Sequence, residues 1–107
     1  MHLLTLHDLL AGHADAGTAS WEFLREATMS AGLYRLPAGA DDPQQPHAED
    51  EVYVVLAGSA RLASGDDDVE VHAGTVAFVP AGEVHRFHHI ADDLAVLVIF
   101  SPPETGD

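Results

Sequence analysis

An imidazole and a carboxylate, His47 and Glu51, stand four residues apart in the stretch QQPHAEDEVYVVLAG (44–58), with Glu49 and Asp50 between them. Such a segment is either a solvated acidic turn or a place where a positive charge draws the histidine and the carboxylate together. A strand advances roughly 3.3 Å per residue, so the two Cα atoms would lie about 13 Å apart in a straight strand. Side chains that far apart do not share one ion, whose ligand bonds are about 2.0–2.2 Å long. For the second reading the AED between them must turn, leaving His47 at the end of one strand and Glu51 at the start of the next. Pro46 then keeps the approach extended, and the run VYVVL anchors Glu51 on a rigid strand.

The elements that would position these groups are short and β-rich. The runs SWEFLR (20–25), GLYRL (32–36), EVYVVLA (51–57), ARLAS (60–64), VEVHA (69–73), TVAFVP (75–80), HRFHHI (85–90) and LAVLVIF (94–100) are separated by Gly, Pro and Asp. Their near-regular spacing predicts an all-β sandwich or small barrel and leaves no room for the helices of an α/β fold. The only helical signal is amino-terminal: residues 5–11 predict a turn or two of helix opened by Thr5 and stopped by Gly12, followed by loop. One domain is expected over 1–107, with a core at about 20–101, an arm at 1–19 and a tail at 102–107. VYVVL and LAVLVIF are apolar at odd and even positions alike, so both of their faces should be covered. A second copy of the chain is the expected cover, giving a homodimer; the alternative is that the arm, with Leu3, Leu4, Leu6, Leu9 and Leu10, folds back over that face.

Composition removes whole classes of function. The formal net charge of -14, from 18 acidic and 4 basic residues, repels phosphate backbones and anionic membrane surfaces, so neither nucleic acid nor membrane is an expected partner. Acidic clusters such as ADD (40–42) and GDDD (65–68) read as solvated turns. Cysteine is absent, which leaves His, carboxylate or amide to hold any metal. The start of the chain has no basic leader and its apolar residues are interrupted by His7 and Asp8, so the expected location is cytoplasmic.

The chain resembles the cupin superfamily. Gly39, five residues, Gln45, Pro46, His47, three residues, Glu51, six residues and Gly58 reproduce the spacing of the first cupin motif, with Gln45 where that motif has its first histidine. Gly74, Pro80, Gly82 and His85 match the second motif, with His89 where the family usually has asparagine, and fifteen residues separate the two motifs, as in small single-domain bacterial cupins. The resemblance implies a small double-stranded β-helix, a jelly-roll-like barrel. It also implies one divalent metal ion per chain, held by His47, Glu51 and His85. A two-histidine, one-carboxylate set suits non-haem Fe(II) and accommodates Mn, Ni, Co or Zn. Gln45 either supplies a fourth, neutral oxygen or hydrogen-bonds a metal-bound water or substrate. The remaining His2, His7, His13 and His72 fit no such spacing and read as surface residues. Glu49 and Asp50 read as solvated turn, with Glu49 a spare ligand.

Strand parity extends the expected pocket. If Glu51 points inward so do Tyr53 and Val55, and if His85 points inward so do Phe87 and His89, with Arg86 and His88 on the opposite face. Tyr53 and His89 are the candidate catalytic groups, His89 as the imidazole able to exchange protons near neutral pH. Tyr34 competes with Leu33 and Leu36 for the interior. The expected function is that of a metal-dependent enzyme acting on a small polar molecule. Dioxygenase-like chemistry comes first, isomerase or lyase chemistry next, and the alternative is a non-catalytic small-ligand or metal binding module. With Arg25, Arg35, Arg61 and Arg86 the entire basic supply, a multiply phosphorylated or strongly anionic substrate is not favoured unless the metal itself binds the anion.

Overall fold

The eight β-rich runs form six strands, because two pairs of runs fuse. The computed structural model, which describes residues 1–44 and 46–105, contains α1 (Leu6–Ala16), β1 (Ser20–Arg25), β2 (Ser30–Leu36), β3 (Asp50–Ser64), β4 (Asp67–His72), β5 (Val76–Val79) and β6 (His85–Ser101). EVYVVLA and ARLAS are one strand, β3, that passes through Gly58 instead of ending there. Gly58 has φ 91°, and a Cβ on it would lie 2.2 Å from the Asp93 carbonyl oxygen. Only glycine lets β3 and β6 come this close where both bend.

The antiparallel strand order is β1-β2-β6-β3-β4, with β5 also on β3. The first half of β3 pairs with β5 and with the second half of β6, while its second half pairs with β4 and the first half of β6. Two long strands that bend together and remain paired roll the sheet into an antiparallel jelly roll. Tyr53, Val55, Leu62, Phe87, Leu94 and Val96 fill its interior, each at most 4% exposed. Registered neighbours across four strands, Ser30, Phe100, Glu51 and Val79, share the inner face, which places Glu51 among core residues.

The helix is longer than the sequence predicts. Thr5 caps it, its side chain accepting from the Asp8 N–H at 3.2 Å, but the helix runs through Gly12 to a cap at Gly17, in the left-handed conformation with φ 70°. Gly12 is a contact glycine and not a stop signal: a Cβ there would meet the Trp21 ring at 2.6 Å. His13 is buried, contrary to its surface reading. Its Nε2 donates to the Thr18 carbonyl at 2.7 Å and its ring stacks on Trp21. The helix packs on β1 and β2, where Ala31 and Leu33 are buried on the outer face. The arm therefore covers part of the outer sheet. Across the rest of it Val52 and Val54 are half-buried, while Val76 and Phe78 beside them are 65% and 62% exposed. Among the described residues no helix is long and apolar enough to cross a membrane.

Candidate metal centre

His47, Glu51 and His85 converge, each offering one donor atom within 4.8 Å of the others. Glu51 arrives on β3 and His85 opens β6, both about 1% exposed at the side chain, while His47 comes from the irregular segment between β2 and β3. His47 does not end a strand as the spacing argument expected. The bend at Ala48 and Glu49 does make the required reversal, and the His47 carbonyl accepts from the Gly82 N–H at 2.8 Å, tying this loop to the turn that delivers His85.

The protonation pattern of the site follows from its hydrogen bonds. His85 Nδ1 lies 2.9 Å from the Glu83 carbonyl, which only accepts, so Nδ1 carries the hydrogen and Nε2 presents a lone pair. That nitrogen is 2.8 Å from Glu51 Oε1, and neither oxygen of the buried Glu51 carboxylate has a hydrogen-bond donor. A buried carboxylate facing an imidazole lone pair is tenable only with a cation between them. Without a metal a proton takes that place: burial pushes the His85 pKa down, but hydrogen bonding to Glu51 and to the Glu83 carbonyl outweighs it, and the net direction is up. His47 Nε2 lies 4.0 Å from the same Glu51 oxygen. Two donors bound to one ion at 2.0–2.2 Å lie about 3 Å apart at right angles and about 4.2 Å apart when opposed, so the three residues fit a metal.

A buried hydrogen-bond network backs this set. Asp42, 6% exposed, accepts from Tyr34 Oη at 2.6 Å, from Gln44 Nε2 at 2.6 Å, and from the Phe87 and Gln44 backbone N–H groups at 2.9 and 3.3 Å. Gln44 Oε1 accepts from Tyr53 Oη at 2.9 Å, and that hydroxyl lies 3.1 Å from His85 Nε2. Burial raises the Tyr53 pKa far above the phenol range, and the Glu51 charge adds to it, so Tyr53 stays a neutral donor. Tyr34 is raised likewise, by burial and then by its bond to Asp42. On the opposite side of His47, Nδ1 lies 3.3 Å from Glu104 Oε2, and the ring packs edge-on against Phe100. Glu104 is held by its own backbone, its N–H donating to the buried Ser30 Oγ at 2.9 Å and its carbonyl accepting from Arg25 at 2.9 Å. Above His47 opens a cavity of ≈ 200 Å³, bordered by Trp21, Glu22, Tyr34, Gln44, Phe100 and Glu104.

Parity places Glu51, Tyr53, His85 and Phe87 inside, but not His89. His89 is exposed and has φ 49°. From Arg61 to Ser59 β3 advances two residues while β6, from His88 to Asp92, advances four, so the strict alternation breaks there and Ile90 takes the inward position. His88 is on the outside as expected, its Nε2 2.9 Å from Asp68 Oδ1. Gln45 lies outside the described residues. Two acidic readings change. Asp42, read as part of a solvated turn, is the buried hub of the network. Glu49 is 2% exposed, with one oxygen accepting from Thr105 at 3.3 Å. Asp50 is exposed and accepts from the Ala81 N–H at 2.9 Å. Sequence reasoning missed Asp42, Gln44 and Glu104. The only signal for Gln44 is its place beside Gln45, and Glu104 lies in what reads as a tail.

A rolled antiparallel sheet with a candidate two-histidine, one-carboxylate site at one end defines a class, and residues 32–101 match the cupin domain family: the chain belongs to it. It is 50% identical over 105 residues to the uncharacterized protein SCO3923 of Streptomyces coelicolor, an alignment covering 98% of this chain and all of that one. Among solved structures, TT1209 from Thermus thermophilus superposes with a TM-score of 0.73 at 25% identity, over 96% of this chain and 99% of the other. The DMSP lyase DddQ from Ruegeria pomeroyi DSS-3 superposes with a TM-score of 0.72 at 24% identity, over 78% of this chain and 46% of the lyase, a likeness of fold.

Proposed function

We propose that this cupin is a metal-dependent enzyme acting on a small polar molecule, with dioxygenase-like chemistry first. The observation that carries the metal is Glu51: a buried carboxylate with no donor on either oxygen, faced by two imidazoles. His47, Glu51 and His85 would hold one divalent ion. When bound, such an ion supplies Lewis acidity or, if redox-active, activation of O2. The chain's own residues do the rest. Tyr53 donates beside the ligands, inside the barrel, without ionising, Phe100 and Val98 line one wall of the cavity, and Glu22 and Glu104 border it. Arg25 is engaged by Glu22 at 2.9 Å and by the Glu104 carbonyl, so no free cation greets an anion there among the described residues. The substrate is then small and neutral or cationic, and the -14 charge likewise supports the absence of nucleic acid and anionic membrane from its partners.

The outward position of His89 removes the imidazole that isomerisation or elimination would use for proton transfer, which ranks those chemistries below oxygen activation. The same fact favours a non-catalytic binding module as the second reading. Metal analysis of protein purified without a histidine tag, followed by O2 uptake with the loaded protein, separates them. A stoichiometric redox-active metal with O2 uptake supports the enzyme; a bound metal with no uptake supports the module. His85→Ala should empty the site, and full occupancy in that variant would remove the ligand assignment.

The uncovered part of the outer sheet supports a second copy of this chain as its cover. Val52, Val54, Val76, Phe78, Leu97 and Ile99 are registered neighbours with no charged side chain among them, so no like charges would meet within that contact. Sedimentation should show about twice 11.4 kDa; a single 11.4 kDa species with no concentration dependence sinks the dimer.

A further inference from the structure

We propose that Gln44 supplies a neutral oxygen to the metal, completing the set begun by His47, Glu51 and His85; this rests on the metal-centre reading above. The position is one residue before the one that motif spacing indicates. The orientation of the Gln44 amide is settled by Asp42: a carboxylate only accepts, so the group 2.6 Å from Asp42 Oδ2 is the amide NH2, and the oxygen points the other way. That oxygen has two lone pairs. One accepts from Tyr53 Oη at 2.9 Å, and the other faces His47 Nε2 at 3.3 Å.

His47 Nε2 is itself a lone-pair atom when it ligates, since its Nδ1 faces the Glu104 carboxylate at 3.3 Å. Gln44 Oε1 and His47 Nε2 therefore stand to each other as His85 Nε2 and Glu51 Oε1 do: acceptors side by side, at a separation that two ligands of one ion adopt. Asp42 is anchored by the N–H of Phe87, two residues from His85 on β6, so the amide is registered to the same strand as the second histidine. Tyr53 adds a second fix, lying 3.1 Å from His85 Nε2 while it donates to Gln44.

Chemistry follows from the donor type. An amide oxygen is a harder ligand than an imidazole nitrogen, so a set of two imidazoles, one carboxylate and one amide oxygen shifts preference from Zn and Ni toward Mn and Fe(II). Gln44→His should reverse that shift.

The experiment is a competition titration of the metal-free protein with Mn(II), Co(II) and Zn(II) against a chelating dye, together with the visible spectrum of the Co(II) form. Gln44→Met should weaken Mn(II) and Co(II) binding about tenfold or more and change the intensity of the Co(II) bands, while Gln45→Ala leaves both within about twofold. Gln44→His should raise the ratio of Zn(II) to Mn(II) affinity. Unchanged affinity and spectrum in Gln44→Met, or a loss carried by Gln45→Ala, overturns the assignment. If Gln44→Met fails to fold, the Gln45→Ala and Gln44→His arms decide alone. Wild-type protein that binds none of the three ions defeats the metal reading itself, an outcome distinct from a wild type that binds and a Gln44 variant that binds equally well.

Discussion

The two sides of the metal centre are built differently. Glu51, Tyr53 and His85 sit on β3 and β6, whose backbones are paired to each other along most of their length, so their directions are set by ladder and pleat. His47 and Gln44 sit on an irregular loop between β2 and β3, and their directions are set by side chains: Asp42 beneath, Glu104 beside. The strand side is positioned by the fold whether or not the site is occupied. The loop side is positioned by a few polar contacts, one of which, Asp42, also holds the Phe87 N–H of β6. Metal binding and fold stability should therefore separate by region.

The largest effect is expected on the strand side. Glu51→Gln keeps the shape and removes the charge, and its amide can donate to the His85 lone pair. Metal retention should fall by about a hundredfold or more, beyond the ten- to hundredfold typical of residues that only support ligands, while the thermal midpoint of the metal-free protein does not drop. Metal content by elemental analysis and a melting curve of the chelator-treated protein check both halves; a variant that melts well below the metal-free wild type would show that the pocket is built around the charge.

At Asp42 the order reverses, with stability moving first. Asp42→Ala strands the buried Phe87 N–H, frees the half-buried Tyr34 hydroxyl and releases Gln44, at a cost of about 1–3 kcal/mol in denaturant titrations. It should also lower the Tyr34 phenol pKa part of the way, because burial, the larger cause of its rise, remains while the bond and charge of Asp42 are gone, and ultraviolet titration reads that directly. Glu104→Gln is milder. The backbone contacts that hold the tail remain, the carboxylate facing His47 Nδ1 is lost, and metal affinity should weaken about tenfold with little change in melting. An equal loss of affinity and stability would make Glu104 a structural residue and not a positioning one.

The same division accounts for what the sequence revealed. Apolar runs bounded by Gly, Pro and Asp announce strands, and parity carries Glu51 to Tyr53 and His85 to Phe87 because a ladder keeps alternation. Fusion of the runs at Gly58 was not legible, since a glycine that ends a strand and one that allows two backbones to touch look alike. Nor were Asp42 and Gln44. Asp42 is buried because the Phe87 N–H, 45 residues away, points at it, and no local pattern in ADDPQQ distinguishes that from a wetted turn. Glu104 depends in the same way on His47, far earlier in the chain.

The smallest effect lies at the outer side of the second half of β3, and it tests why His89 is outside. Asp68 accepts from His88 Nε2 and from Arg61 Nε at 3.0 Å, and these partners hold its pKa below the ordinary 3.8, first through the His88 hydrogen bond. A carboxyl lowered on folding stabilises the fold at every pH above its unfolded value, and that contribution is lost as pH falls from about 4 through the depressed folded value. Asp68→Asn should therefore flatten a small part of the acid limb of melting temperature against pH, small because the carboxyl is exposed and screened. Near neutral pH it frees the His88 ring. If the tether of His88 is what keeps this stretch of β6 turned outward, the variant should loosen His89 in hydrogen exchange without altering metal retention. If metal retention changes instead, the outer cluster is coupled to the centre, and the separation of the site from this end of the barrel fails.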